Sequence, residues 1–276
     1  MSQTLKKTMI SSELPKLALI DADVIVYRVA FASEEETEEI CFARAKELIF
    51  EIVYTELNCD DYKAYLTGKG NFRQMVATTA PYKGNRKDFQ KPKHYDGLRD
   101  YLQRLGAELV EGQEADDAIA IEATKEQDKC WIVSIDKDFD QVKGWHYNFV
   151  KKEKYYVTEE EGIRSFYTQI LTGDRTDNII GIKGIGPVKA EKILQDCKTE
   201  REHYDACVKA YDGNIERVTE NGVLLWLRRH PDQLWLPPLP SQDSTGQSGT
   251  LRDLAITESV TPVVKKSESK QELMSK

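Results

Sequence analysis

The sequence predicts an α/β fold, a central, mostly parallel sheet with flanking helices, followed by an all-helical region. Three observations carry this. The apolar runs "LALID" (17–21) and "CWIVSID" (130–136) both end in an acid and read as buried strands. Helical patterns alternate with such runs, as parallel pairing through crossovers requires. Beyond Asp174 the apolar runs stop and only helical patterns remain.

The elements follow in order. "EEETEEICFARAKELIFEIVYTEL" (34–57) places acids in its first turns, where the helix dipole favours them, and apolar residues at roughly 3.6-residue spacing. "YKAYLTG" (62–68) is a strand closed by glycine, and "HYDGLRDYLQRLG" (94–106) an amphipathic helix stopped by Gly106. "AELVEG" (107–112) is a third strand, "EADDAIAIEATKEQ" (114–127) a helix, and "CWIVSID" the fourth strand. "YNFV" and "KYYV" give short strands. "TEEEGIRSFYTQILTG" (158–173) opens on a capping box from Thr158 to Glu161. Three helical segments follow, "GPVKAEKIL", "EREHYDACVKAY" and "NIERVTENGVLLWLRRH", and from Pro237 the polar, Pro/Ser-rich composition predicts an unstructured tail.

The net charge of the 276 residues is −8, which on its own argues against nonspecific nucleic-acid binding. Clustered acids can be metal ligands, so the distribution decides more than the sum. Five dispersed cysteines, without a C-x-x-C pair or zinc spacing to the four histidines, indicate reduced thiols in a cytosol-like compartment. No run approaches the ~18 apolar residues of a membrane span, and the apolar stretch after Lys6 and Lys7 is too short for a signal peptide.

Acids recur at element ends: Asp21 with Asp23; Glu114, Asp116 and Asp117; Asp136 and Asp138; Asp174 and Asp177. A lone acid there is ordinarily a solvated loop residue or helix cap. The series is different, because ligands gather outside the carboxyl ends of parallel strands. Carboxylates that converge repel unless a cation sits between them. Oxygen ligands without His or Cys select Mg²⁺ or Mn²⁺. A pair of such ions suits in-line cleavage of a phosphate ester.

"GIKGIGPVKAEKI" (181–193) lacks the G-K-[ST] ending of a P-loop. It reads instead as a turn between helices, with Gly184 and Gly186 granting backbone freedom and Pro187 in the first helical turn. Its amides with Lys183, Lys189 and Lys192 would hold a DNA backbone without reading bases. The densest basic run, "PYKGNRKDFQKPKH" (81–94), interleaves Lys83, Arg86, Lys87, Lys91 and Lys93 with Tyr82 and Phe89, a combination suited to a single-stranded end. Pro81 and Pro92 argue against a long helix there, and the segment is expected to be mobile without DNA.

With "LIDADVIVYR", "PYKGNR", "EADD", "SIDKDFD" and "LTGDRTDNIIGIKGIG" in this order, the chain resembles the 5′-nuclease family of flap endonucleases and 5′→3′ exonucleases, especially the stand-alone bacteriophage enzymes. The resemblance covers roughly residues 17–194. It implies a PIN-like, 5′-nuclease core over 17–173 with an arch segment near 78–95. A helix-three-turn-helix DNA-binding region over 174–236 would follow, with residues 1–16 as an extension and 237–276 as the tail. It implies two divalent ions on Asp21, Glu114, Asp116, Asp136, Asp138, Asp174 and Asp177, with Asp117 beside them, and a K⁺ ion at the hairpin. Lys83 and Arg86 would contact the scissile phosphate while Tyr82 stacks on a base. DNA binding would add Lys183, Gly184, Gly186, Lys189 and Lys192.

The implied activity is 5′→3′ exonuclease on DNA, with flap cleavage and action on RNA–DNA hybrids. It would serve replication or primer removal, as a monomer meeting replication proteins in the host cytoplasm. One departure stands out. Phage relatives usually carry an aspartate after the second strand, where this chain has Thr67 and Gly68. A water could substitute, Asp23 could lean in, or metal affinity could fall. That gap motivates the alternative of a catalytically weak DNA-binding or scaffold protein. A helix-hairpin-helix glycosylase leaves the acids unexplained.

Overall fold

The computed structural model describes residues 14–86 and 89–240; residues 1–13, Lys87, Asp88 and 241–276, with most of the expected extension and tail, lie outside the described residues. The described chain through Leu239 forms one unit. Strands β1 (Leu17–Asp21), β2 (Asp61–Thr67), β3 (Glu108–Val110), β4 (Cys130–Val133), β5 (Gly144–Asn148) and β6 (Glu153–Val157) form a sheet in the order β3-β2-β1-β4-β5-β6. All neighbours are parallel except β5 and β6. The central strand β1 pairs Leu19 with Lys63 on one side and with Ile132 on the other.

Both faces of the sheet are covered, so successive residues alternate between two cores. Ala18, Ile20, Ala64, Leu66, Trp131 and Val133 join one apolar cluster, and Leu19, Tyr65, Cys130 and Ile132 another. The first cluster receives helices α1 (Ala22–Ala32), α2 (Glu38–Phe50) and α4 (Tyr95–Arg104); the second receives α5 (Ala115–Glu126). The short α3 spans Arg73–Val76. Helix α6 (Glu159–Thr172) opens on the expected Thr158–Glu161 capping box. It leads to α7 (Pro187–Leu194), α8 (Glu200–Ala210) and α9 (Ile215–Leu225), which share a third core with Phe166, Tyr204 and Trp235.

Three expectations need correction. Helix α1 was not foreseen, although Asp21 caps it by accepting from the Val24 N–H (3.2 Å) and Ile25, Val26 and Val29 fall on one buried face. The helix expected over 34–57 starts only at Glu38, and its last turn, Glu51–Glu56, widens into a π-helix. The region beyond Asp174 is not purely helical. Strands β7 (Gly173–Asp174) and β8 (Ile179–Ile180) pair antiparallel. Gly173 (φ +70) crosses Gly181 so closely that a side chain on either would run into the other's backbone.

One buried ion pair joins the helical region to the sheet. Arg73 on α3 is 1% exposed; its guanidinium donates to both oxygens of Asp117 (2.6 and 2.9 Å) and to the carbonyls of Leu224 (2.8 Å) and Trp226 (2.9 Å). Asp117, wholly buried, also accepts from the Arg228 N–H (3.1 Å) and caps Glu114. Removing one partner strands a charge without water. Arg73→Met is expected to cost about 3–5 kcal/mol in chemical denaturation, with the double change Arg73→Met, Asp117→Leu recovering part of it. Equal loss in the single and double variants would show that the pair itself is not what holds the junction.

Candidate active site

A cleft of about 370 Å³ opens at the carboxyl edge of the sheet, lined by Asp21, Glu114, Asp116, Asp136, Asp138 and Asp177 together with Tyr82, Lys83 and Arg86. Folding therefore converges six of the expected acids, from four sequence groups, with Asp23 beside them. Each arrives for a local reason. Asp21 ends β1 and caps α1. Glu114 caps α5 in a reciprocal box with Asp117, which sets Asp116 in the first turn. Asp136 caps the 3₁₀ turn Lys137–Gln141 and accepts from the Asp138 N–H (2.9 Å). Asp177 lies in the loop that β7 and β8 close.

Two expected acids are placed otherwise. Asp117 does not line the cleft, because Arg73 holds both of its oxygens; its part is to brace the start of α5. Asp174 is buried and also absent from the cleft wall. It pairs with Lys137 (3.2 Å) and accepts from the N–H groups of Thr176 (2.6 Å) and Asp177 (3.2 Å), shaping the loop that carries Asp177.

Burial and mutual repulsion dominate the electrostatics. Burial, then the charges of Asp23 and Asp136, push the Asp21 carboxyl up to about 7, although Ser134 donates to it (2.8 Å). Burial followed by Asp136, Asp174 and Asp177 raises Asp138 to about 7. Asp116 is raised well above the carboxylate range by burial and by Asp21, Glu114 and Asp136. Buried carboxylates that resist ionisation suit a hard divalent cation, which would favour their charged forms, and the oxygen-only donor set fits one. The cage expected of these acids is not ready-made. Among the described residues no three His, Cys, Asp or Glu side chains stand in ligating geometry. Ion pairs engage two of the acids. Lys83 pairs with Glu114 and lies 3.7 Å from Asp177, and Arg86 pairs with Asp177 (2.7 Å).

The segment carrying these cations is strapped to the helical region. Lys83 holds a left-handed backbone (φ +53) and its N–H donates to the Asp177 carbonyl (2.9 Å). Asn85 donates to the Arg175 carbonyl (2.6 Å), Asn178 to that of Pro81 (2.9 Å) and Arg86 to that of Thr176 (3.1 Å). At its start, Glu220 of α9 accepts from the N–H groups of Thr78 (2.7 Å) and Thr79 (2.8 Å) and from the Thr79 hydroxyl. Hydrogen bonds from Thr79 and Thr78, with Arg217 beside them, hold the Glu220 carboxyl down at about 2. Among the described residues between α3 and α4, only a short 3₁₀ turn, Gly84–Arg86, forms, in line with the two prolines. Tyr82 corrects its expected role. It is 7% exposed, packed in the helical core, with its hydroxyl against Glu114 (3.0 Å) and Asp177 (2.6 Å), so its ring offers no face to a base.

At the hairpin, Lys183, Lys189 and Lys192 are exposed, as a phosphate grip requires. Gly184 takes φ +80, whereas Gly186 is extended (φ −105) as the N-cap of α7 and does not need glycine's freedom. No atom lies near a side chain built on either, so the surface is open to a close backbone. The Lys189 ammonium donates to the Gly184 carbonyl (2.8 Å), and a K⁺ ion using that oxygen would displace it.

Sequence reasoning left Asp23 and Thr67 as open possibilities and missed Arg99, Glu220 and Arg73. Thr67 ends β2, and its hydroxyl accepts from the Ala115 N–H (2.9 Å). Asp23 lines the cleft and accepts from the Thr67 N–H (2.8 Å), while Arg99 pairs with Asp23 and donates to the Thr67 carbonyl. Glu220 gave no signal, since its partners lie more than 140 positions away. The "FR" after the second strand likewise gave no hint of a buried Arg73.

A family model described as "5'-3' exonuclease, N-terminal resolvase-like domain" matches residues 16–168. DNA polymerase I of Borreliella burgdorferi is 38% identical over 104 residues, 33% of this chain and 12% of that protein. Flap endonuclease Xni of Shewanella woodyi is 34% identical over 131 residues, 41% of this chain and 51% of that protein. The crystal structure of the bacteriophage T5 D15 flap endonuclease, a pseudo-enzyme–product complex with DNA and metal ions, superposes with a TM-score of 0.58 at 18% identity, covering 76% of this chain and 88% of that one. At that identity the likeness shows the fold. The matched segments span 12–14% of the length of the first three DNA polymerase I relatives. No helix among the described residues is long and apolar enough to cross a membrane.

The raised acids set a pH dependence for the metal-free protein. An aspartate near 7 in the fold and near its ordinary value when unfolded binds more protons folded than unfolded. Its contribution is complete below about pH 4 and is lost as pH rises through about 7. In chelator at pH 8, Asp21→Asn is therefore expected to melt above the parent, by on the order of 1–3 kcal/mol, with the gap closing towards pH 4. A variant less stable than the parent at pH 8 would show that the cleft does not strain this carboxylate.

Proposed function

The chain belongs to the 5'-3' exonuclease family of the N-terminal resolvase-like domain, and from that premise we propose that it is a divalent-metal-dependent nuclease acting on DNA from 5′ ends. The observation that carries this is the single cleft in which Asp21, Glu114, Asp116, Asp136, Asp138 and Asp177 face Lys83 and Arg86. Carboxylates alone repel a phosphate and cations alone cannot hold metal ions. Both together suit a phosphodiester approaching a metal-bearing site.

In this reading Asp21, Asp116, Asp136 and Asp138 would hold the ions, and Glu114 and Asp177, which pair with Lys83 and Arg86, would add to them when those cations engage a phosphate. When bound, divalent ions at such a site activate water and neutralise charge on the phosphate. Lys83 and Arg86 donate to phosphate oxygens, where charge develops as the bond to the leaving oxygen breaks. Lys83 is 27% and Arg86 44% exposed at the side chain, so both reach the cleft while their backbone is fixed by the loop holding Asp177. Lys183, Lys189 and Lys192 grip phosphates farther along the duplex.

The finer activity is 5′→3′ exonuclease giving 5′-phosphorylated products, with flap cleavage and action on RNA–DNA hybrids. Mg²⁺ or Mn²⁺, two ions, would serve as cofactor, with K⁺ at the hairpin competing with Lys189. The setting would be replication or primer removal, for a phage in the host cytoplasm, by a monomer meeting replication proteins. The relative named as a flap endonuclease and the neighbour solved with DNA and metal ions support this direction. A non-catalytic DNA-binding protein on the same fold is favoured by one observation, Thr67 and Gly68 in the cleft wall where an acid was expected.

One assay separates the two. With Mg²⁺, a 5′-labelled duplex is expected to be shortened by the parent chain and spared in chelator. Asp136→Asn is expected to lose at least about a hundredfold in rate while keeping DNA affinity within a few fold. Undiminished turnover by that variant would remove Asp136 from the chemistry, and an inert parent that still binds DNA would favour the scaffold.

A further inference from the structure

Four aromatic rings run from the cleft wall to the surface. Tyr27 and Tyr95 line the cleft with centroids 4.9 Å apart. Beyond Tyr27 lie Phe31 (6.4 Å) and Phe89 (5.8 Å), and these two meet edge to face at 6.2 Å, 82° between planes. Phe31 is 47% and Phe89 56% exposed. They come from α1 and from the strap after Arg86, nearly sixty positions apart, so their meeting is a product of the fold. Neither belongs to a buried cluster.

We infer that Phe31 and Phe89 form a stacking platform for unpaired nucleotides at the 5′ end of a substrate. This deepens the proposed nuclease reading and rests on it. Tyr82, the aromatic that the sequence pattern offered for stacking, is buried with its hydroxyl engaged by acids, leaving Phe31 and Phe89 as the exposed rings continuous with the cleft. Aromatic faces accept any base, whereas a base inside a duplex is already stacked, so the platform selects single strand over double.

Charge around the rings agrees with a nucleic-acid strand. Lys91 sits 4.3 Å over the Tyr95 ring with its side chain 55% exposed, and Arg28, exposed, lies one turn before Phe31 on α1. Two of the three acids just after Phe31 are engaged locally, while Glu35 is exposed. Glu34 accepts from the Lys93 N–H (3.2 Å), and Glu36 pairs with Arg44 (2.8 Å).

The test measures binding in chelator, so that no cleavage intervenes, by anisotropy of a labelled duplex with a short unpaired 5′ flap, of the same flap made abasic, and of a blunt duplex. Phe31→Ala with Phe89→Ala is expected to weaken flap binding roughly five- to a hundredfold, leave blunt-duplex binding within twofold, and add nothing when the flap is abasic. Phe31→Tyr is expected to restore binding if the rings act as stacking faces. Equal weakening on blunt and flap DNA, or the same loss with an abasic flap, would overturn the inference. So would unchanged flap binding in a variant whose melting temperature matches the parent. If the parent self-associates and the alanine variant does not, without any change in flap binding, the patch is a protein contact instead. A parent that binds none of these DNAs would instead count against the nuclease reading itself.

Discussion

Like charges crowded into a poorly hydrated cleft repel, and the rest of this site is arranged around that repulsion. The parallel sheet delivers Asp21 and Asp136 at its carboxyl edge, and α5 brings Glu114 and Asp116 to the same edge. Helix starts help: Asp21 caps α1, and Glu114 caps α5 with Asp116 in its first turn, so each meets the positive end of a dipole. That does not suffice. Asp21, Asp116, Asp138 and Asp177 are all raised, burial first, although Lys83 and Arg86 pair with Glu114 and Asp177. The protein's own cations hold part of the place that a metal ion or a phosphate would compete for.

That arrangement makes the position of Lys83 and Arg86 a matter for the helical region. Their strap is fastened by Glu220 at one end and by the 174–178 loop at the other. Helix α9, which bears Glu220, also donates through Asn221 to the Ile180 carbonyl (3.0 Å), just before the hairpin. The Arg73–Asp117 pair closes the circuit, since one guanidinium touches the brace of α5 and two carbonyls at the end of α9. The hairpin and the cleft cations are thus built on shared elements.

The sheet and most helices were legible because periodicity and caps are local. "LALID" and "CWIVSID" bury both faces and became neighbouring strands, and Thr158 capped as its spacing required. Helix α1 was missed because "DADVIVYRVAFA" follows its strand without a break, so the acid that closes β1 also opens the helix. The acid series was legible as a series, but the roles of its members were not. Asp116 and Asp117 are adjacent and identical, yet one faces the cleft and the other faces Arg73, a residue more than forty positions away. Tyr82 failed for the same reason, since its burial depends on α6, α8 and α9 and not on "PYKGNR".

The departure at Thr67 has a local structural setting. The three outcomes open for it were a water, a leaning Asp23, or weaker metal affinity. Asp23 does lean in: one of its oxygens accepts from the Thr67 N–H and its side chain lines the cleft. The replacement is not equivalent, because Arg99 pairs with that carboxylate and also holds the Thr67 carbonyl. An acid is kept at that corner, paired with Arg99 but still close enough to raise Asp21. Thr67 is meanwhile committed to the backbone, its hydroxyl accepting from Ala115 at the start of the helix that presents Asp116. An aspartate there would bring a second negative charge against Asp21 and Asp116, both already raised by their neighbours. A neutral hydroxyl at Thr67 keeps the helix start hydrogen-bonded without adding to the charge that Asp23 already sets against Asp21.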